Sequence, residues 1–257
     1  MVEGDATISG LAYLLGGVDE ESLARVQKDV RQSTEIARSE FADIPEAILE
    51  QLLFQYYGGV SFVARWLDQR GWVGINRLYS LPPLSTEQVL HPEKYVTEPD
   101  PPTLLEIKDL SSLFSPPWKE IENNVLGELM VRVLLKQFLS EEAAARVAHG
   151  WDGDRLVAFR RGDEVAFIWV TLWDSEKDAE EFLQGYREIL ERKYGSPESY
   201  LERRERLVIV VEGLEKSHVE ANIDKIWQRV ELKEEPFKPP FPPMKPVPLR
   251  TGKNFAQ

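Results

Sequence analysis

Two acidic residues near the start of the sequence, Glu3 and Asp5, and one histidine, His91, have the side chains best suited to metal or acid–base chemistry. Carboxylates and imidazoles are ordinary zinc ligands, and an imidazole also exchanges protons near neutral pH. The Glu-Gly-Asp pattern by itself favours a simpler role over metal binding, because acids in the first turn of a helix interact favourably with its dipole. Residues i and i+2 of a helix point to different faces, so both carboxylates reach one ion only if the backbone is irregular.

His91 precedes Pro92, which favours an extended backbone at His91 and removes the next amide donor. A histidine in this position is interpreted first as a hydrogen-bonding anchor of its loop, and roles as a metal ligand or acid–base group stay open. The other two histidines are weaker candidates. His149 lies before a helix-ending glycine, and His218 is expected in an exposed first turn of a helix.

Several kinds of site are excluded by what the sequence lacks. It has no cysteine, which excludes disulfide scaffolds, thiol nucleophiles and cysteine-ligated metals. The patterns HExxH, GxSxG, the Walker loop and the Rossmann glycine fingerprint are absent. The glycine pairs at 16–17 and 58–59 are interpreted as a helix end and a close helix contact. The acids of the segment 150–155 could bind calcium, but a turn locked by an Asp–Arg pair is favoured.

The chain has 257 residues and a net charge of −13, from 31 basic and 44 acidic residues. This charge argues against binding to nucleic acid or to an anionic membrane. No apolar run is long enough to span a membrane, and the start lacks the basic and apolar regions of a signal peptide. The compartment is not indicated. A high content of Glu, Lys and Arg without cysteine is typical of thermophile proteins.

Hydrophobic spacing predicts a mostly helical region over residues 1–115. Amphipathic helices are expected over about 20–40 and from Pro45 onward, with an interruption at 58–59 and an end at Gly71. Residues 80–103 are rich in proline and contain a capping-box pattern, so they are predicted to form an ordered irregular connector with one short helix.

Residues 116–233 have a different pattern, in which runs of β-branched and aromatic residues alternate with helical spacing. The expected elements are a helix over 118–139, a short helix from Ser140 to Gly150, a hairpin turning at Gly162-Asp163, a helix from Ser175 to about Tyr194, a buried strand over 207–211 and a helix over 216–230. This order predicts an α+β fold, in which the helical region is followed by a small antiparallel sheet with helices on one face.

The segment 234–257 is a third region. Its last 22 residues contain four basic residues, no acid and seven prolines. Proline is incompatible with a helix interior or a central strand, so an extended, partly polyproline-II tail is predicted. Phe237, Phe241 and Phe255 are the side chains that could pin this tail to the rest of the chain.

Seven short segments of the sequence form a distinctive set. They are Val-Glu-Gly-Asp-Ala-Thr at 2–7, Phe-Gln-Tyr-Tyr-Gly at 54–58, Gly-Trp at 71–72, Asn-Arg-Leu-Tyr at 76–79, the run from Ser85-Thr86-Glu87-Gln88 to His91-Pro92-Glu93-Lys94-Tyr95, Gly-Trp-Asp-Gly-Asp-Arg at 150–155 and Trp-Asp-Ser at 173–175. With this set, residues 1–232 resemble a family of prokaryotic, often surface-anchored zinc metallopeptidases of the gluzincin type. The run from Ser85 to Tyr95 is the most specific part of the resemblance.

The resemblance implies a zinc site in which two histidines of an HExxH helix bind the metal and its glutamate is the general base. Glu3 then corresponds to the third metal ligand and Asp5 to a residue that orients a ligand, while His91 is placed at the cleft without an assigned role. In the family the HExxH helix precedes the Val-Glu-Gly-Asp-Ala segment, whereas this sequence begins at that segment. Zinc is therefore expected only in a longer form, and no catalytic residue is assigned.

Three functions are compatible with this pattern. The first is a metallopeptidase-related protein that lacks peptidase activity as this chain. The second is the C-terminal portion of an active zinc metallopeptidase, with a complementary N-terminal segment as its partner. The third is a protein-binding or assembly module that uses the proline-rich tail or forms a homo-oligomer to cover an apolar face.

Overall fold

The structure, a computed structural model, describes residues 1–96, 98–114, 118–195 and 199–233. The predicted tail over 234–257 therefore lies outside the described residues. The described chain divides into two compact units, residues 1–101 (the helical unit) and 102–233 (the sheet unit). The boundary between the units lies earlier in the sequence than the one predicted at 115/116. The reason is that the strand at 104–107 pairs with the strand at 230–233 and so belongs to the second unit.

The helical unit contains five helices in its described residues: α1 (Val2–Leu15), α2 (Glu20–Glu40), α3 (Glu46–Leu78), α4 (Thr86–Leu90) and α5 (Glu93–Val96). Asp19 begins α2 with a reciprocal cap, since its carboxylate accepts from the Ser22 amide at 2.9 Å and the Ser22 hydroxyl accepts from the Asp19 amide at 2.8 Å. The core is built from apolar side chains of the first three helices, among them Ile8, Leu23, Phe62, Trp66 and Leu67.

Glycines shape α3 in two ways. The helix runs through Gly58 and Gly59, so the predicted interruption there is wrong. Gly71 has φ 65° and ψ −173°, a conformation open to glycine, and it divides α3 into two helical stretches where the sequence predicted an end. The predicted connector over 80–103 is correspondingly richer than expected, because it holds two short helices, α4 and α5, rather than one.

The sheet unit is larger and mixes strands with helices. In chain order it comprises β1 (Leu104–Ile107), a 3₁₀ turn (Leu110–Leu113), β2 (Lys119–Asn124), α6 (Gly127–Lys136), α7 (Glu141–Ala148), β3 (Trp151–Arg161), β4 (Glu164–Trp173), α8 (Glu176–Tyr194), β5 (Tyr200–Arg204), β6 (Leu207–Glu212), α9 (Lys216–Trp227) and β7 (Val230–Lys233). Five strands form an antiparallel sheet in the order β2-β3-β4-β6-β5, and β1 pairs with β7 in a separate two-stranded sheet.

Alternate side chains of the central strands enter two different cores. Trp169, Val208 and Val210 pack with residues of α6, α7 and α8. Ile168 and Ile209 face the other way and pack with residues of α9, β1 and the 3₁₀ turn. The α+β class is therefore confirmed, but the helices are not confined to one face, since α9 covers the second.

Most predicted elements of the sheet unit are confirmed, with one clear exception. The hairpin, the Ser140 and Ser175 helix caps and the buried strand β6 all occur as expected. The helix predicted over 118–139 is wrong in its first part, where β2 forms and α6 begins only at Gly127. Every residue of β2 is exposed, so this edge strand carries no alternation of buried and exposed positions by which it could be recognised.

Candidate functional site

The first turn of α1 carries both candidate acids, as the helix-dipole interpretation predicted. The sequence forms a regular helix here, and Gly16 ends it in the left-handed conformation with φ 71°. Asp5 accepts hydrogen bonds from the hydroxyl of Ser9 at 2.9 Å and from the hydroxyl of Tyr79. The bond to Asp5 raises the pKa of Tyr79. Asp5 is thus committed to holding the end of α3 against α1.

Glu3 differs from Asp5 in having no such tie. Its side chain is partly exposed, and within the described chain it forms no hydrogen bond or salt bridge. Its backbone carbonyl accepts from the Thr7 hydroxyl at 2.8 Å, and its carboxylate interacts electrostatically with the α-ammonium group of Met1. Of the two acids in the motif, Glu3 is therefore the one whose carboxylate is available to a ligand.

Gly4, between these acids, explains why α1 sits so close to α3. It is buried, and a Cβ atom built on it would lie 2.1 Å from the backbone carbon and oxygen of Gly59. Two glycines thus allow direct backbone contact between the helices, which confirms the predicted close contact at 58–59. The Val-Glu-Gly-Asp-Ala segment thus packs against Gly59, the residue directly after the Phe-Gln-Tyr-Tyr-Gly segment.

His91 ends α4 with φ −121° and ψ 77°, a conformation that is neither helical nor the extended one that Pro92 was expected to favour. Its backbone anchors the turn into α5, because its amide donates to the Glu87 carbonyl at 2.7 Å and its carbonyl accepts from the Lys94 amide at 2.9 Å. Its Nδ1 lies 3.8 Å from a carboxylate oxygen of Glu93. Glu3, Asp5 and His91 are not among the described groups of three potential ligand atoms that come within 4.8 Å of one another.

The run from Ser85 to Tyr95 serves mainly to fix this connector. The Ser85 hydroxyl caps α4 by accepting from the Gln88 amide at 3.2 Å. The fully buried Gln88 side chain accepts from the Leu84 amide at 2.8 Å and donates to the Asp100 carbonyl at 2.9 Å. Lys94 bridges the buried Glu87 at 2.6 Å and Asp100 at 2.8 Å. The segment that carries the most specific resemblance is thus a tightly bonded structural unit.

Tyr95 completes the connector by inserting its ring into the helical core. The ring is 1% exposed and lies 5.5 Å from that of Phe62 and 5.3 Å from that of Trp66. Its hydroxyl donates to the Leu81 carbonyl. Burial raises the pKa of Tyr95 to about 12.

An open groove of about 490 Å³ lies elsewhere on the helical unit. Charged residues of α2, α3 and α5 line it together with small apolar ones, and the charged ones are Glu20, Arg65, Asp68 and Glu93. Its volume is in the range of small-molecule sites, but apolar groups do not dominate its lining as they do in most such sites. Glu3, Asp5 and His91 do not line it.

The segment 150–155 is not the turn that the sequence predicted. It is the start of β3, with a bulge between Trp151 and Gly153 that lets the Thr103 carbonyl approach. Asp152 accepts from the Thr103 amide at 3.0 Å and lies 3.6 Å from Arg206. The Asp–Arg lock predicted within this segment is therefore wrong, because Asp152 pairs with Arg206 and Arg155 donates to the Leu105 carbonyl at 2.9 Å.

Asp154 is a buried acid whose role the sequence did not reveal. Its carboxylate accepts from the backbone amides of Leu126 and Gly127, each at 2.8 Å, and from the indole of Trp151 at 2.9 Å. Burial raises the pKa of Asp154, and these donors offset part of that rise. Asp154 thereby holds the beginning of α6, and both oxygens are occupied by protein donors.

Glu212 is the second buried acid that sequence reasoning missed. It accepts from Tyr186 at 2.6 Å, Lys193 at 2.6 Å and Tyr194 at 2.7 Å, all on α8. Burial and then Glu212 raise the pKa of Tyr186 well above its usual value. Burial works to lower the pKa of Lys193, but the bond to Glu212 outweighs it and the pKa is raised. No sequence signal pointed to this cluster, because its members lie 18–26 positions from Glu212.

None of the helices in the described ranges is both long and apolar enough to cross a membrane. Comparison with known proteins gives one family match: residues 114–223 match a family described as a domain of unknown function (DUF8575). The match lies within the sheet unit and spans β2 through most of α9. No curated protein and no solved structure matches the chain.

Proposed function

We propose that this chain is a relative of the gluzincin-type zinc metallopeptidases that does not hydrolyse peptides on its own. The observation that carries the proposal is the different fate of the two acids in the Val-Glu-Gly-Asp-Ala segment. Asp5 is tied to Tyr79, whereas the carboxylate of Glu3 has no hydrogen-bonding partner among the described residues. This is the arrangement expected if Glu3 occupies the position of a metal ligand and the surrounding helices keep the structure that would hold it.

The residues present do not fit a complete zinc site of the His₂Glu type. Residues 1–101 contain a single histidine, His91, and the sequence has no HExxH to supply a histidine pair or a general base. Glu3 would serve as a ligand only with an HExxH segment supplied from elsewhere. We therefore derive no hydrolytic step for this chain.

Zinc content after equilibration with a zinc salt and gel filtration tests the proposal. We expect well below one zinc per chain, and no hydrolysis of casein or of a furylacryloyl peptide with zinc present. Glu3→Gln should change neither result, and Glu21→Gln, which alters an exposed acid of α2, serves as the matched control. Zinc-dependent hydrolysis would overturn the proposal. One zinc per chain, lost in Glu3→Gln but kept in Glu21→Gln, would instead assign Glu3 to a working metal site.

Assembly through the helical unit is a second candidate, favoured by one specific observation. Tyr13, Leu14 and Leu15, in the last turn of α1, are 88%, 79% and 61% exposed. Large exposed apolar patches mark interaction sites on soluble proteins. Light scattering of the full chain tests this candidate: we expect an oligomer that Leu14→Glu reduces to a monomer, and a wild-type monomer at all concentrations would remove the candidate.

A further inference from the structure

The first half of α3 has an exposed face that carries no charge. The exposed residues between positions 47 and 57 are Ile48, Gln51, Leu52, Gln55 and Tyr56. Their spacing of i, i+3, i+4, i+7 and i+8 places them on one side of the helix. At 1.5 Å per residue this surface, the uncharged face of α3, is about 12 Å long.

Large apolar side chains run along this face. Ile48, Leu52 and Tyr56 are 54%, 50% and 47% exposed. The one charged residue of α3 between positions 47 and 64 is Glu50, which is buried and paired with Arg38 at 2.9 Å. The other side of the same stretch is in the core, where Leu49 and Phe54 are buried. The first half of α3 therefore has two apolar sides, and the described chain buries one of them.

The neighbouring helix α2 shows what an ordinary exposed surface of this chain looks like. Eight of its thirteen exposed residues are charged, as expected of a helix side that faces water. The uncharged face of α3 departs from this pattern over more than two helical turns. The difference indicates a surface suited to contact with protein rather than with water.

A second copy of this chain is the partner that fits the absence of charge. The chain has a net charge of −13, so two copies repel one another least where the facing surfaces are uncharged. In a two-fold contact the same patch faces itself, so any charge on the patch would meet a like charge. A strongly basic or acidic partner, in contrast, would find no opposite charge on this face.

We infer that two copies of the chain pair through the uncharged face of α3, with the two helices antiparallel. Leu52, at the centre of the face, then lies opposite its symmetry equivalent, and Ile48 lies opposite the equivalent of Tyr56. The antiparallel orientation brings opposite ends of the two helix dipoles together.

The area of the face sets the strength of this dimer. A specific interface buries at least about 1,000 Å² in total, or about 500 Å² from each copy. The five side chains of the face supply this area at about 100 Å² each, which is about half of what a large aromatic side chain can bury. The contact is at the lower limit of a specific interface, so we expect a weak dimer with a dissociation constant on the order of 0.1 mM.

The end of α1 is a separate surface from the uncharged face of α3. Tyr13, Leu14 and Leu15 are consecutive, so they point in different directions around the last turn and do not form one face. The dimer inferred here rests neither on assembly through α1 nor on the metallopeptidase relationship.

Disulfide crosslinking of the full chain tests the contact, because a chain without cysteine reports only the cysteine that is introduced. The matched control for Leu52→Cys is Val73→Cys, at a 65% exposed position of α3 outside the face. With copper–phenanthroline as the oxidant, Leu52→Cys should form linked dimers roughly tenfold faster than Val73→Cys, because pairing raises the local thiol concentration from about 0.1 mM to the millimolar range.

Mixed samples test the orientation of the helices. Ile48→Cys and Tyr56→Cys, oxidised together, should form mixed dimers faster than either variant links to itself. Faster self-linking of both variants would indicate parallel helices and would overturn the inference. Equal rates for Leu52→Cys and Val73→Cys would overturn it as well, and so would a Leu52→Cys crosslink that Leu14→Glu abolishes, since the contact would then belong to the end of α1.

Sedimentation equilibrium gives a second readout without a covalent trap. It is measured in the Leu14→Glu background, so that the end of α1 does not contribute. At about 0.3 mM, about two thirds of the chains should be dimeric, and the average mass should rise clearly above the 29.5 kDa of one chain. Adding Leu52→Glu should return the mass to that of the monomer, whereas adding Val73→Glu should not, and circular dichroism verifies that each variant is folded. A monomer at this concentration, or a dimer that Leu52→Glu leaves intact, would overturn the inference.

Discussion

In the sheet unit the buried acids Asp154 and Glu212 each accept three hydrogen bonds, whereas in the helical unit Glu3 accepts none with its side chain in the described chain. The apolar surface differs as well, because most of the exposed large apolar side chains of the described residues belong to the helical unit. The buried acids of the sheet unit therefore stabilise that unit's own fold. The helical unit is therefore the part of the described chain where a binding surface is expected.

The largest expected effect concerns the backbone contact that holds the helical unit together. Gly4→Ala places a Cβ atom 2.1 Å from the backbone of Gly59, and helix backbones cannot move aside as a side chain can. We expect the free energy of unfolding to fall by about 3 kcal/mol. Hydrogen exchange followed by mass spectrometry should show faster exchange in α1 and α3 while the sheet unit is unchanged.

Gly10→Ala is the matched control on the same helix. Nothing lies within 4 Å of a Cβ atom at this position, so the substitution should raise helix stability by up to about 1 kcal/mol. Equal exchange rates in Gly4→Ala and Gly10→Ala would show that the contact between Gly4 and Gly59 is not what joins the helices.

In the sheet unit the corresponding test is Asp154→Ala. It leaves the amides of Leu126 and Gly127 and the indole of Trp151 without their acceptor in a buried setting. We expect a loss of about 2–3 kcal/mol, measured by urea denaturation and localised by exchange in α6. Asp163→Ala, in the fully exposed β3–β4 turn, should change stability by less than about 0.5 kcal/mol. A loss confined to the helical unit would refute the assignment of Asp154 as the anchor of α6.

Local signals in the sequence were sufficient for elements whose ends carry a cap or a turn. Ser175, Gly16 and the Gly162-Asp163 turn each specify the backbone through groups only a few residues away, and all three were placed correctly. The strand β2 was mistaken for a helix because Ile121 and Val125 have helical spacing, while its real constraint is pairing with β3, more than thirty positions along the chain.

The candidate site shows the same limit. That Glu3 and Asp5 belong to the first turn of a helix followed from their position, but the bond from Tyr79 to Asp5 spans 74 positions and left no local trace. The segment 150–155 was interpreted as a turn because its glycines and aspartates are typical of turns. Glycine is required at position 153 because the Thr103 carbonyl approaches it too closely for a Cβ atom. This contact between distant residues can be seen only in the folded structure.

Alkaline pH offers a test of the helical unit that needs no change in packing. The folded-state pKa of Tyr95 is raised to about 12 from 10.0. Its contribution to the free energy of unfolding is therefore fully present below pH 10 and is lost as the pH rises to about 12. A shift of this size corresponds to roughly 3 kcal/mol. Exchange rates in α3 and the 80–103 connector should rise over this window.

Tyr95→Phe should remove most of this pH dependence from the helical unit and leave only the part due to Tyr79, whose pKa is also raised. Tyr186 also has a raised pKa, so the sheet unit should keep its own alkaline sensitivity in this variant. A helical unit whose stability falls as steeply between pH 10 and 12 in Tyr95→Phe as in the wild type would show that Tyr95 is not the group that controls it.

The smallest expected effect is at Lys193, the charged partner of Glu212. Lys193→Met leaves Glu212 with its two tyrosine donors, and the lysine side chain is 39% exposed, so water can replace part of its interaction. We expect a loss of about 1 kcal/mol in the sheet unit. Lys177→Met, which removes an exposed partner of Glu181, should cost no more than about 0.5 kcal/mol. Equal costs for the two substitutions would contradict a special role for the Glu212 cluster.

The pairing of β1 with β7 brings the two ends of the sheet unit together, with Leu104 opposite Lys233 and Ile107 opposite Val230. Both strands lie outside the segment that matches the domain family, so they frame the matched region. Because neighbouring ends are what circular permutation and domain insertion require, a short turn could join Lys233 to Leu104 and new termini could open at the exposed β3–β4 turn. The sheet unit thus has the geometry of a transplantable module, one that a different chain could accommodate as a single insertion.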